Sequence, residues 1–180
     1  QRGALLAAAP SKQAAAPPGR AAATGDRDRA YDQALRLYRD GKTGEALETA
    51  EMAISRWGAT AALRTLAGWC RLRGGAVKEA ENDFRAALVL DPGAVEPQVG
   101  IGYVLLRRGV PRQAEEAFSL AIRRDAGNAD ALKGLGMALR DQKKYAAAAD
   151  AFRAVIRAAP DDHEAETLLD AKPATLTVTR

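Results

Sequence analysis

Side chains suited to nucleophilic or acid–base chemistry are scarce in this sequence. There is one histidine, His163, and one cysteine, Cys70, in 180 residues. His163 follows Asp161 and Asp162 where a helix is predicted to start. A general base there would need a nucleophile and an orienting group, and its place in the chain supplies neither. It reads as a surface histidine beside capping aspartates. Cys70 reads as a small core residue rather than a reactive thiol. The pairs Gly100 with Gly102 and Gly134 with Gly136 look like openings of a dinucleotide loop, but both lack the third glycine and the preceding strand. The acidic pairs Glu115 with Glu116 and Asp161 with Asp162 are first-turn carboxylates favourable to a helix dipole. A zinc finger, a disulfide within the chain and most histidine-based sites are excluded. No catalytic, cofactor-binding or metal-binding residue is assigned, no cofactor is called for, and no enzyme is expected.

The elements that would position any site must be helical. Hydrophobic types make up 47%, but alanine accounts for much of that share and only 5% of the chain is aromatic. Alanine is the best helix former and fills little volume, so such a core needs closely approaching helices. A β-sandwich would need more β-branched and aromatic residues. The net charge of +4 comes from 27 basic and 23 acidic residues in a mixed pattern, with arginine the commoner basic type. That is a solvated surface rather than a nucleic-acid footprint. No apolar run approaches the roughly 18 residues of a membrane span.

The two ends differ from the middle. Residues 1–26 are rich in Ala, Pro, Gly and Arg, with large aliphatics only at Leu5 and Leu6, and read as a flexible linker. The start at Gln1 and the short apolar run after Gly3 leave two expectations open: a processed exported protein, or a fragment of a longer chain. Residues 172–180 are a tail. Within it, Ala174 to Thr179 alternate with the period of a strand, which suits either a lead into a further domain or a simple end.

Between the ends the sequence repeats with a fixed period of about 34 residues. Ala46, Ala80, Ala114 and Ala148 form one column, and Ala50, Phe84, Phe118 and Phe152 another, so all three phenylalanines share a register. Further columns are Ala34, Gly68, Gly102 and Gly136; Gly41, Gly75, Gly109 and Lys143; and Ile54, Leu88, Ile122 and Ile156. Each unit reads as two helices joined at the Gly41-type column. A glycine or alanine in the Gly68-type column lets the two helices approach, and the phenylalanine plugs into the neighbouring unit. One hairpin buries one face only, so the units must stack into a solenoid.

These columns resemble the tetratricopeptide repeat. The resemblance covers about Arg27 to Asp162 and implies an all-α, right-handed α-solenoid of about four helix-turn-helix repeats. The units are 27–59, 60–94, 95–128 and 129–162, followed by a capping helix at 163–171. The first unit departs from the pattern with Ala50 for the aromatic and Gly58 for the closing proline. In the second, strict register would bury Arg64 and Arg71. Sliding its first helix by one residue is preferred, with Leu63, Leu66, Ala67 and Cys70 inward and Gly74 and Gly75 absorbing the extra residue, because two buried unpaired guanidiniums are prohibitive.

The family's first helices line a concave groove. Mapped onto this chain, that groove takes Tyr31, Leu35, Tyr38 and Arg39 from the first unit. The slipped second unit gives Arg64 and Arg71, the third Val99, Tyr103, Leu106 and Arg107, and the fourth Lys133, Met137 and Arg140. Apolar anchors interleaved with arginine forks suit a protein or peptide segment with apolar and acidic residues. Members that bind chaperone C-termini hold a carboxylate with Lys and Asn. Here Tyr31, Leu35, Val99 and Tyr103 stand in those places and only Lys133 fits, so that peptide is not expected. The resemblance thus implies a non-enzymatic adaptor or scaffold. Analogy places it in a bacterial envelope assembly (pilus, secretion or polysaccharide export), in keeping with an Ala- and Arg-rich, high-GC composition. Two alternatives stand beside it: an accessory repeat region of a larger enzyme or secretion component, and a self-associating structural repeat protein.

Overall fold

A computed structural model describes residues 20–160 and 163–170, most of them helical. The helices are α1 (Arg20–Arg39), α2 (Thr43–Trp57), α3 (Ala61–Arg73), α4 (Val77–Leu90), α5 (Glu96–Arg107), α6 (Pro111–Arg124), α7 (Ala129–Asp141), α8 (Tyr145–Ala158) and α9 (His163–Asp170). Each odd helix packs on the even helix that follows it, each even helix on the next odd one, and α1, α3, α5 and α7 also touch in series. The result is an all-α repeat solenoid of four hairpins with α9 laid against α8. The tail at 172–180, like residues 1–19, lies outside the described residues. Within the stretch read as linker, α1 already begins at Arg20. The alanines that follow Pro18 favour helix, which extends the first helix toward the N-terminus.

Local signals set the helix ends. Thr60 accepts the Leu63 backbone N–H at 3.2 Å, and Asn128 accepts that of Ala131 at 2.9 Å, which caps α3 and α7. Asp91 and Asp125 each accept the N–H two residues on, from Gly93 at 2.9 Å and Gly127 at 3.1 Å, turning the chain between units in the same way. Inside each hairpin the turn residue is left-handed: φ is +79° at Gly41, +83° at Gly75 and +70° at Gly109, and Lys143 adopts +64° in the same column.

The seams between units are built from a ring against missing side chains. Phe84 on α4 is fully buried; a Cβ on Gly68 of α3 would lie 2.7 Å from its ring, and one on Gly100 of α5 would lie 2.4 Å away. Phe118 on α6 is held in the same way by Gly102 of α5 (2.5 Å) and Gly134 of α7 (2.2 Å). Both glycine pairs with a dinucleotide-like look are therefore helical packing residues. The first seam is different. Ala50 replaces the phenylalanine and Leu66 replaces the facing glycine, and the two share one buried cluster with Leu63 and Cys70. A large residue has moved from one side of the seam to the other, so the space stays filled.

The expected one-residue slip of α3 does not occur. Gly68 meets Phe84 as Gly102 meets Phe118, and Gly75 turns as Gly41 and Gly109 do, so the register of the repeat is unbroken. Leu63, Leu66, Ala67 and Cys70 are buried in that strict register. Arg64 and Arg71 hold the places taken by Leu132 and Leu139 in the fourth unit. Both reach Asp83 on α4: Arg64 donates to one carboxylate oxygen at 3.1 Å and Arg71 to the other, while Arg71 also pairs with Glu51 on α2. Asp83, 4% exposed, sits where the later units have Ala117 and Ala151. The objection to buried guanidiniums held only for unpaired ones, and Asp83 supplies the partner.

Candidate functional site

The first helices of the first three units stand side by side, and between them opens a cavity of about 730 Å³. α1 contributes Tyr31, Leu35, Tyr38 and Arg39, which recur every three or four residues and so share one face. α3 adds Thr65, Leu66 and Trp69, and α5 adds Tyr103. The connection before α5 (Asp91, Ala94 and Val95), Glu96 and Pro97 at the start of α5, and Asp130 at the start of α7 close one edge.

The floor is anchored in the core. Trp69 meets Phe84 edge-on with ring centroids 5.1 Å apart, and Tyr103 meets Phe118 in the same way at 5.1 Å. The two floor rings touch each other at 5.7 Å, so four rings run without a break from one seam to the next. The Tyr103 hydroxyl donates to the backbone carbonyl of Asp130 at 3.1 Å. At the opposite edge the Arg73 guanidinium lies 4.8 Å from the Tyr38 ring centre and donates to the Tyr38 carbonyl at 3.1 Å. Burial raises the pKa of the Tyr38 hydroxyl, Arg73 opposes that, and the Asp130 carboxylate across the cavity adds to the rise.

The groove has edges of opposite sign. Arg39, Arg73 and Arg107 fall in one column of the repeat at the C-terminal ends of α1, α3 and α5, and all are exposed. Glu96 and Asp130, in the first turns of α5 and α7, line the other edge, with Asp91 of the preceding connection beside them. Charges placed this way also suit the helix dipoles.

The candidate residues divide by position. Tyr31, Leu35, Tyr38, Arg39 and Tyr103 come together around the cavity. Val99 is fully buried beneath it, packed with Ala114 and Phe118, because its place on α5 turns inward. Leu106 is half-buried against that same cluster, and Arg107 is exposed at the basic edge. Lys133, Met137 and Arg140 on α7 lie outside the cavity, with Met137 packed on the cluster that Leu168 and Leu169 of α9 also join. Arg64 and Arg71 are a correction: their ion pairs with α4 and α2 draw them to the second-helix layer, away from the groove. The second unit contributes Thr65 and Trp69 instead, which stand one repeat after Tyr31 and Leu35. Glu96 and Asp130, also one repeat apart, were missed as groove residues, although their shared column marks them.

Burial pushes the Cys70 thiol up to about 11, which keeps it protonated and inert at neutral pH. The side chain of His163 lies outside the described residues. Among the described residues no three His, Cys, Asp or Glu side chains gather as a metal site, and no helix is long and apolar enough to cross a membrane.

The tetratricopeptide repeat family model matches residues 31–95 and 99–163. The chain belongs to the tetratricopeptide repeat family. Solved structures agree on the fold. Pseudomonas aeruginosa pilF superposes with a TM-score of 0.71 at 19% identity, over 84% of this chain and 68% of that one. A thermophilic tetratricopeptide repeat protein of Thermus thermophilus gives 0.73 at 16% identity, over 79% of each chain. The first tetratricopeptide domain of RPAP3, solved with an HSP90 peptide bound, gives 0.57 at 20% identity, over 61% of this chain and 86% of that one. At these identities the likeness is one of fold. No curated protein matches the sequence. As a tetratricopeptide repeat protein the chain is a protein-interaction repeat module.

Proposed function

We propose that this tetratricopeptide repeat protein is a non-enzymatic adaptor that holds a segment of a partner protein in the concave face of its first three units. One observation carries this reading: a cavity of about 730 Å³ whose aromatic floor is fixed by the core seams, with ionic groups at both rims. Burying rigid aromatic surface orders few rotamers, so such a floor is suited to anchoring a segment. Acidic residues of the segment would meet Arg39, Arg73 and Arg107, and apolar surface of the segment would cover Trp69 and Tyr103. Analogy with the family and the Ala- and Arg-rich composition support a narrower role in bacterial envelope assembly.

Affinity capture from an extract of the source cells tests this. The bait is the full chain, compared with a Leu35→Glu, Arg39→Glu variant whose helical circular dichroism is unchanged. A protein retained by the first and lost by the second is the expected result. Identical captures would overturn the groove assignment. Sedimentation at several concentrations reads out self-association, and a retained protein that proved to be the chain itself would replace the adaptor with a self-associating repeat protein.

A further inference from the structure

The groove carries information about the charge of its occupant. We propose that its central cavity receives a basic side chain, an arginine or lysine flanked by apolar residues, from the partner segment. This rests on the groove reading above and names the chemistry of the anchor.

Three carboxylates line the cavity, those of Asp91, Glu96 and Asp130, against one guanidinium, Arg39. Among the described residues none of the three is in an ion pair. Asp91 accepts a backbone N–H from Gly93, and Glu96 accepts the Asn128 side-chain amide at 3.2 Å. The polar contact at Asp130 is made by its backbone carbonyl, which leaves the carboxylate to the cavity. These acids do not converge as a metal site. They line the same cavity as the rings of Trp69, Tyr103, Tyr31 and Tyr38.

Rings and carboxylates lining one cavity fit the two halves of a long cationic side chain. Its aliphatic stem packs on the aromatic faces, and its head reaches the acids. The molecule already shows that one of these rings accepts a guanidinium, since Arg73 stacks on Tyr38 at 4.8 Å from the other edge. Arginine fits better than lysine, because its planar head stacks and bonds at once. An acidic residue farther along the same segment would then face Arg39, Arg73 and Arg107, so the two edges fix the direction in which the segment lies.

Trp69 provides the readout. The full chain carrying Trp57→Phe retains Trp69 as its single tryptophan. It is titrated with three acetylated, amidated pentapeptides of sequence Ala-Leu-X-Leu-Ala, where X is arginine, norleucine or glutamate. The arginine peptide is expected to change Trp69 fluorescence saturably and to bind about tenfold tighter than the norleucine peptide. The glutamate peptide should be weakest. The arginine preference should shrink between about 50 and 500 mM salt. It should also vanish in Glu96→Gln with Asp130→Asn, while norleucine binding stays. Calorimetric titration of the unaltered chain must give the same ranking. Equal or tighter binding of the norleucine or glutamate peptide overturns the basic anchor and leaves the groove reading standing. Absence of binding by all three also overturns it, and the capture experiment then decides the groove separately.

Discussion

Phe118 and Gly134 should be exchangeable as a pair but not singly. Phe118→Ala empties a fully buried site and should destabilise by about 4 kcal/mol through lost transfer energy and the residual cavity. Gly134→Leu meets the opposite problem. Its Cβ alone would lie 2.2 Å from two ring carbons of Phe118, a ring already wedged against Gly102 on its other side. Overpacking of about 3 kcal/mol is expected, relieved by roughly 1 kcal/mol of better helix propensity. Added independently, the two changes predict a loss of about 6 kcal/mol, comparable with the entire stability of many domains. The double variant instead recreates the first seam, where Ala50 faces Leu66. Filling the space from the α7 side should limit the loss to about 1 kcal/mol. The pair would thus be coupled by about 5 kcal/mol, well above the usual range for contacting residues. Urea unfolding followed by circular dichroism measures all four corners of the cycle. A double variant no more stable than Phe118→Ala would refute the view that seam volume is conserved across the two sides.

Two further outcomes follow from buried ionisable groups. Asp83→Ala should destabilise by about 3 kcal/mol, because Arg64 and Arg71 lose their shared partner. Arg64→Leu and Arg71→Leu added to it restore the residues of the fourth unit and should return the midpoint of urea unfolding to the parent value or above. Cys70 has its pKa raised to about 11 from 9.0 by burial. The neutral thiol is therefore the form the fold favours. Its stabilisation is complete below pH 9 and declines as pH rises toward 11, so at pH 10 the chain should be about 1 kcal/mol less stable on this account. The decline measured for the parent minus that for Cys70→Ala isolates the effect, and parallel curves would contradict it.

The sequence made the solenoid legible because its columns carry packing constraints that recur unchanged. A ring at the same place in successive units and a glycine beside it leave few other arrangements. The second unit was misread where one column changed chemistry. Leu132 and Leu139 announce themselves as core; Arg64 and Arg71 in the same places do not, and the residue that makes them tolerable, Asp83, lies on another helix at an alanine position. Pairing across helices is invisible to a pattern read along one helix. The same slip hid Trp69, although it stands one repeat from both Leu35 and Tyr103. Glu96 and Asp130 were hidden for a different reason. As first-turn carboxylates they already had a local role, and only the serial packing of α3, α5 and α7 shows that they also border a cavity.

The odd seam between α2 and α3 has a consequence for assembly. A chain of near-identical hairpins can dock the wrong neighbours while folding, or trade units with another copy. Here the joints are not interchangeable. The first unit offers Ala50 where Gly100 or Gly134 expects a ring, which would leave a void. The third offers Phe118 where Leu66 already fills the space, which would collide. Wrong dockings that would swap the first joint with a later one are thereby penalised, and the order of the first units along the rod is written into the sizes of a few side chains.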